Sequence, residues 1–229
     1  MNEPDRLDRP IRPPSEGFDW NNPRTFVRAG VVVELIVLLI GLGLGWLSGI
    51  NPWQACRWTV VSIAWGVLAT GPLLLAFGVT YRLDWPPLRR IREMLIEMLG
   101  RPLSGCRWYD LVVLAVLAGV CEEVLFRGVI QPWMAGADAA EPLAIGFVVA
   151  LIGSNLLFAL LHPVTRTYAV LVGLVGVYLG VIGLVDRLPD SSGLAGRGNL
   201  VVPIVAHGFY DYLAFLVIAR EFRRGQASD

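Results

Sequence analysis

The chain has 229 residues, of which 55% are hydrophobic and 17% are charged, and its mean hydropathy is +0.59. About a quarter of the residues in a soluble domain are charged, so this composition indicates an integral membrane protein. Nineteen arginines, with no lysine, balance nineteen acidic residues, which excludes the net basic charge typical of nucleic-acid-binding proteins. The three cysteines form no CxxC pair, which argues against a disulfide framework, a thiolate metal site or redox chemistry.

Six apolar stretches follow a polar N-terminal segment. Residues 1–25 combine prolines with interleaved charges and are predicted to form a disordered cytosolic tail. Each apolar stretch is long enough for about 20 residues of membrane-spanning helix. The stretches are residues 26–48, 58–80, 109–131, 143–163, 167–186 and 200–220. The predicted fold is therefore all-α, a polytopic integral membrane bundle of about six transmembrane helices, with a C-terminal tail at 221–229.

The longest connection, residues 81–108, is amphipathic and is predicted to lie at the membrane interface. Ile91, Leu95 and Met98 share one face of it, with charged residues around them. It contains six arginines, and the positive-inside rule then places both termini in the cytoplasm, in a plasma membrane of the bacterial type. This connection ends an N-terminal unit of residues 26–107, which precedes a core unit of residues 108–220.

Small residues and one acid stand out in the apolar stretches. Glycines at close helical spacing predict tight contacts between helices at Gly41, Gly43, Gly45, Gly176 and Gly180. Glu34 is interpreted as a side chain near the inner end of the first span that reaches back to the interface.

The third span contains the ionisable residues Glu122, Glu123 and Arg127, which are costly inside a membrane and therefore indicate function. Glu123 and Arg127 are four residues apart and can form an ion pair on one helix face. Such a pair could also be purely structural. Glu122 is turned by about 100° from Glu123, which leaves it free to exchange protons with water and a leaving amine.

Polar residues at helical spacing recur in the fourth and sixth spans. Asn155, Phe158 and His162 fall on one face of the fourth span. His207 and Asp211 are four residues apart in the sixth, so Asp211 can accept a hydrogen bond from one ring nitrogen and leave the other facing the site.

The depths that ideal helices give to Glu122, His162 and His207 in the membrane would keep these side chains apart. A rise of 1.5 Å per residue puts Glu122 and His207 about 9 and 12 Å below the outer face, but His162 within about 6 Å of the inner face. The motifs favour a common site, so we expect the fourth helix to begin deeper, residues 134–145 to dip into the bundle, or the spans to tilt.

At these residues the sequence resembles the CPBP family of intramembrane proteases, also called Abi, which includes CAAX proteases and bacteriocin-processing proteins. Three family patterns occur in order: EExxxR, FxxxH and HxxxN. Their positions are Glu122, Glu123 and Arg127, then Phe158 and His162, then His207 and Asp211. The resemblance covers residues 108–215. Asp replaces the usual Asn at 211, which keeps an acceptor for His207 but removes an amide donor.

The resemblance implies an endopeptidase that hydrolyses a peptide bond in a membrane-attached or lipidated protein or peptide. It implies that Glu122 and His162 activate a water and that His207, with Asp211, stabilises the oxyanion. Glu123 and Arg127 would position the motif, with support from Phe158 and Asn155.

The resemblance leaves the use of a metal open, because such proteins have been described both as metalloproteases and as glutamate-type proteases. His162, His207 and Glu122 are candidate ligands for a divalent ion such as zinc, with one position left for water. The sequence contains no HExxH motif, so the metal-independent mechanism is favoured.

Two alternatives come from other functional classes. A non-catalytic binding or immunity protein could use the same fold, and Glu122, His162 and His207 would then be replaceable. A proton-coupled transporter could use the ionisable residues as a relay, although the sequence shows no internal repeat of the kind that many transporters contain.

Overall fold

A computed structural model describes residues 19–136, 144–184 and 198–227, and all regular structure in these ranges is helical. The helices are α1 (Pro23–Ser48), α2 (Val60–Arg82), α3 (Pro86–Leu95), α4 (Arg101–Gly105), α5 (Trp108–Leu125), α6 (Gln131–Ala135), α7 (Ile145–Leu160), α8 (Arg166–Ile182) and α9 (Val201–Gln226). A 3₁₀ turn covers Pro52–Ala55, and π turns join α3 to α4 (Ile96–Gly100) and α5 to α6 (Phe126–Ile130). The predicted all-α membrane bundle is confirmed.

Helix boundaries follow capping residues in the sequence. Asn22 accepts a hydrogen bond from the Arg24 amide at the start of α1. The helix stops at Ser48, because the next residue, Gly49, adopts the left-handed conformation with a φ of 70°. Thr59 and Thr165 cap α2 and α8 in the same way. Each of the six apolar stretches contains a helix, but α9 continues to Gln226. Most of the predicted N-terminal tail and most of residues 134–145 lie outside the described residues.

Three of the described helices, α1, α2 and α9, are long and apolar enough to cross a membrane. Helix α5 has 18 residues but carries three acids, and α7 and α8 have only 16 and 17 residues. The count of six crossings therefore remains a prediction. Large apolar side chains point outward, with Val60 84% and Ile145 81% exposed. An apolar exterior of this kind suits a lipid environment.

Helix α9 lies at the centre of the bundle, packed against α5 and α2, while α1 covers the other side of α5. Two glycines allow α5 and α9 to approach closely. A methyl group at Gly119 would lie 2.8 Å from both the Gly208 amide nitrogen and the Ile204 carbonyl oxygen. Gly208 directly follows His207, and Gly119 lies one turn before Glu123. The close crossing thus brings the ionisable residues of the two helices together.

The predicted glycine contacts occur at four of the five positions. Gly41 approaches the backbone of Leu125, Gly45 the turn that follows α1, and Gly180 the side chains of α7 and α6. Gly176 faces the side chains of Asn155 and Arg127. The prediction is wrong for Gly43, which faces open space.

The amphipathic connection packs one face inward, as expected, but the face changes at the π turn. Ile91 is buried, and Leu95 packs in a cluster with Leu103 of α4 and Ile218 of α9. Met98, predicted to share their face, is 58% exposed. A π turn holds one more residue than an α turn, so it rotates the following positions, and Leu99 packs in the cluster instead.

Candidate active site

Three ionisable side chains from separate parts of the chain converge at one cavity. Glu122 lies on α5, His162 in the turn after α7, and His207 on α9. The two carboxylate oxygens of Glu122 lie 4.0 Å from Nε2 of His162 and 3.8 Å from Nε2 of His207. Both distances exceed the usual limit of about 3.2 Å for a direct hydrogen bond. A polar contact longer than about 3.5 Å leaves the facing atoms free to bind a water.

Glu123 is fully buried and links α5 to α9. Its Oε1 atom accepts hydrogen bonds from Arg127 Nη1 and from His207 Nδ1, each at 2.9 Å. The helical spacing predicted the ion pair with Arg127. It did not predict the contact with His207, which lies 84 residues further along the chain. Because an ionised carboxylate can only accept, the Nδ1 atom of His207 carries a proton.

Arg127 is held on three sides by the surrounding helices. Its Nη2 atom donates to Asn155 Oδ1 and to the carbonyl oxygen of Gly176, both at 2.8 Å. Its guanidinium carbon lies 4.7 Å from the centre of the Phe158 ring. A methyl group at Gly176 would come within 2.8 Å of Nη2. The absence of a side chain at Gly176 therefore makes room for the guanidinium.

His162 is oriented by its own helix. Its Nδ1 atom lies 2.8 Å from the carbonyl oxygen of Phe158, and the two rings are 4.7 Å apart. Because a carbonyl oxygen only accepts, Nδ1 donates this hydrogen bond, and the lone pair of the neutral ring is on Nε2. That atom faces Glu122.

The contacts of His207 differ from the prediction. Its Nε2 atom lies 3.4 Å from Asp211 Oδ2, so the expected pair is present. The other nitrogen, however, does not face the site, because Nδ1 is bonded to Glu123. The same ring atom of His207, Nε2, therefore faces both Glu122 and Asp211.

The conflict over depth arose from treating the fourth span as a full-length helix. Helix α7 ends at Leu160, and the residues after it form a turn before α8 begins at Arg166. At 1.5 Å per residue, α7 and α8 are only about 24 and 26 Å long, shorter than a membrane core of about 30 Å. A turn between two short helices can lie inside the bundle, which is where His162 meets Glu122.

Glu34 is an ionisable residue at the site that the sequence interpretation missed. Its carboxylate interacts electrostatically with His207 and Asp211, and its Oε2 atom is buried with no hydrogen-bond partner in the described part of the chain. It lies eleven residues after Pro23, about 16 Å along α1. At that depth the Glu34 side chain lies too far from the membrane interface to reach it. The predicted span began at residue 26 rather than at Pro23, which made Glu34 look closer to the interface than it is.

A cavity of about 490 Å³ extends from the site between α2, α3, α8 and α9. Glu122, His162, His207 and Asp211 form part of its wall. The remaining wall is mainly apolar and includes Leu73, Phe77, Leu88, Ile91, Leu95 and Val175. Reacting groups at one part of an apolar cavity are typical of a site for an apolar ligand.

The candidate metal ligands were tested against the geometry. Within residues 19–136, 144–184 and 198–227, no group of three or more His, Cys, Asp or Glu side chains is arranged to hold a metal ion. The two Nε2 atoms of His162 and His207 both face the carboxylate of Glu122. The described residues therefore do not fit a metal centre.

A protein-family model matches part of the chain. The model of a family described as Rce1-like, type II CAAX prenyl endopeptidase, matches residues 104–213. This range contains the six ionisable residues of the three sequence patterns, which are Glu122, Glu123, Arg127, His162, His207 and Asp211. No curated protein and no solved structure matches the chain.

Proposed function

Because the chain belongs, through residues 104–213, to the Rce1-like family of type II CAAX prenyl endopeptidases, we propose that it hydrolyses a peptide bond in a membrane-attached or lipidated protein or peptide. Family membership implies a protease embedded in a membrane. The observation that carries the finer proposal is the position of Glu122, whose carboxylate faces two imidazole nitrogens at the wall of an apolar cavity.

Glu122 is the proposed general base. A water held between its carboxylate and Nε2 of His162 can transfer one proton to Glu122. The second O–H of the water donates a hydrogen bond to the lone pair on Nε2 of His162. The fixed Nδ1 donation of His162 to Phe158 keeps that lone pair turned toward the water. The resulting hydroxide attacks the carbonyl carbon of the substrate.

His207 is the proposed stabiliser of the oxyanion. As an imidazolium it carries a proton on Nε2, and this fixed N–H can donate to the negative oxygen of the tetrahedral intermediate when that oxygen replaces Asp211 as the acceptor. Three carboxylates, those of Glu122, Glu123 and Asp211, lie within 4 Å of the ring and can compensate a positive charge on it. When the C–N bond breaks, Glu122 returns its proton to the leaving amine.

Glu123, Arg127 and Asn155 are positioning residues in this mechanism, since they act through others. The two hydrogen bonds to Glu123 Oε1 fix His207, and Asn155 fixes the guanidinium of Arg127. Phe158 packs between the rings and the guanidinium and supports both. A packed support of this kind holds reacting groups within the narrow geometry that catalysis needs.

The cavity supports a substrate with a membrane-attached or lipidated segment, as in CAAX processing. Its apolar wall can bury hydrocarbon, which contributes about 0.8 kcal/mol per CH₂ group removed from water. The excess of arginine in residues 81–108 supports an orientation with both termini in the cytoplasm of a bacterial-type plasma membrane.

The test is a comparison of protein termini in host membranes that carry the wild-type chain, Glu122→Gln or Glu97→Gln. The exposed Glu97 provides a matched control for loss of a carboxylate. We expect new termini with the wild type and with Glu97→Gln. With Glu122→Gln, the rate at which these termini form should fall by about 10²- to 10⁴-fold. Mass spectrometry of terminal peptides measures this and identifies the substrate.

Identical terminus profiles for all three proteins, inserted at equal abundance, would contradict the peptidase function. Proton-linked flux that depends on Glu122 would then support a transporter. Full biological function of Glu122→Gln without cleavage would support a binding protein.

A further inference from the structure

Tyr168 lines the same cavity as the side chains proposed to react. It lies in the first turn of α8, where its amide donates to Thr165 Oγ1 at 3.0 Å. Tyr168, Val172 and Val175 recur at helical spacing and all line the cavity, so one face of α8 forms this part of the wall. The side chain of Tyr168 therefore faces the cavity from the capped start of a helix.

The packing of α8 against α7 sets the depth of Tyr168 in the bundle. Three glycines of α8 face residues of α7 in reverse order: Gly180 faces Leu151, Gly176 faces Asn155, and Gly173 faces Ala159. The two helices therefore run antiparallel. Continued by five residues from Gly173, this register places Tyr168 level with the turn that holds His162, whose Nε2 atom faces Glu122.

The hydroxyl group of Tyr168 lies near two acids of the site. It interacts electrostatically with the carboxylates of Asp211 and Glu122. The same two carboxylates face Nε2 of His207, at 3.4 and 3.8 Å. Within the described residues, the hydroxyl makes no hydrogen bond. The O–H of Tyr168 therefore approaches the region of the proposed oxyanion donor and is available to a ligand there.

Residue 211 provides no hydrogen-bond donor of its own to this region. An ionised carboxylate only accepts, so Asp211 competes with an oxyanion for the N–H of His207 instead of adding a second donor. The charge of Asp211 also repels a negative oxygen nearby. With His207 alone, the oxyanion would have a single donor.

We propose that Tyr168 is a catalytic residue whose hydroxyl donates a second hydrogen bond to the oxyanion, next to the N–H of His207. This rests on the proposed peptidase function. Tyrosine is among the side chains that form oxyanion holes, and its O–H brings no charge that the membrane interior would have to bury. The phenol keeps its proton throughout. The proton that moves is the one that passes from water to Glu122 and then to the leaving amine.

The test compares kcat and KM of the purified wild-type chain and Tyr168→Phe. The probe is a fluorogenic peptide that contains an S-prenylated cysteine followed by three apolar residues. We expect kcat to fall by about 10²- to 10³-fold and KM to stay within about twofold, because the hydrogen bond forms only in the transition state. Tyr212→Phe is the matched control. Tyr212 is next to Asp211 but packs in the cluster with Leu103 and Ile218, so loss of its hydroxyl should leave kcat unchanged.

Asp211→Asn gives a second readout that a merely structural role of Tyr168 would not move. It places an amide donor where Asp211 faces His207, so in this background Tyr168→Phe should lower kcat by about tenfold or less. A folding defect would not be restored in this way. A kcat of Tyr168→Phe within about twofold of the wild type, a rise in KM with unchanged kcat, or an equal loss in both backgrounds would overturn the proposal.

A binding measurement separates this proposal from the peptidase function. In the same peptide, a phosphinate group in place of the bond after the prenylated cysteine carries the negative oxygen of the tetrahedral intermediate permanently. Tyr168→Phe should weaken binding of this phosphinate by about 10- to 100-fold, as expected for a lost hydrogen bond to a charged group. Such a loss in a chain that cleaves no peptide would support the donor and contradict the peptidase. Cleavage by the wild type, with phosphinate binding unchanged in Tyr168→Phe, would contradict the donor alone.

Discussion

One oxygen atom of Glu123 binds both Arg127 and His207. The distances from Oε1 to Arg127 Nη1 and to His207 Nδ1 are each 2.9 Å. The carboxylate therefore compensates a buried cation and fixes the orientation of the His207 ring at the same time. As a result, a change at Glu123 is expected to affect stability and chemistry together.

Glu123→Gln should destabilise the protein and impair cleavage. It leaves the buried guanidinium of Arg127 without its counter-charge, which costs about 3 to 5 kcal/mol for a buried pair. It also weakens the hold on His207, so kcat should fall by about 10²-fold or more. Thermal unfolding in detergent and single-turnover cleavage measure the two effects. An unchanged melting temperature with full activity would show that this contact is not needed.

Gly119→Ala should separate α5 from α9. The new methyl group would meet backbone atoms of Ile204 and Gly208 at 2.8 Å, and overpacking of this kind costs about 1 to 3 kcal/mol. Gly43→Ala is the matched control, since Gly43 lies within α1 and faces open space. There alanine should be neutral or should stabilise the helix by up to about 1 kcal/mol. Equal melting temperatures for the two variants would contradict the close crossing.

Removal of divalent cations should leave cleavage within about twofold of its starting rate, since the described side chains form no group of three suited to a metal ion. The check is activity after dialysis against 1,10-phenanthroline, with metal content measured on the same sample. A loss of activity that one equivalent of zinc restores would establish a metalloprotease instead.

The thiols outside the spanning helices should react slowly with alkylating agents. Burial raises the pKa of both Cys56 and Cys106 to about 11. A raised thiol pKa reduces the reactive thiolate to about 0.1% at pH 8, and labelling should quicken about tenfold per pH unit up to that pKa. Site-resolved mass spectrometry measures the rates. Met98→Cys, at an exposed position, is the reference, and equally fast labelling of Cys106 at pH 8 would contradict the raised pKa.

The sequence was sufficient where the interactions are local. The pairs Glu123 with Arg127 and His207 with Asp211 follow from i, i+4 spacing, and both are present. Apolar length alone located all six long helices. Both signals, the i, i+4 spacing and the length of an apolar stretch, depend only on residues that are neighbours in the chain.

Contacts between distant segments could not be derived in this way. The bond between His207 and Glu123 depends on how α5 and α9 cross. The depth of His162 depends on α7 and α8 being short, and the exposure of Met98 depends on a π turn that has no sequence signal. Glu34 was interpreted from the sequence as a residue that reaches the interface, and Arg92 is one of six arginines in the amphipathic connection. Only the packing shows that both face the interior.

The cavity is built from two stretches of the chain, of which the family model matches one. The side chains proposed to react lie within the family-matched residues 104–213, whereas the wall from Pro72 to Leu99, which includes Arg92, precedes them. The side chains proposed to react thus lie in one stretch of sequence, while the apolar wall draws on both. A chimera that exchanges residues 60–100 with those of a protein matched by the same family model should therefore change its substrate preference and keep the proposed hydrolytic step, which would let selectivity diversify without rebuilding the proposed reaction centre.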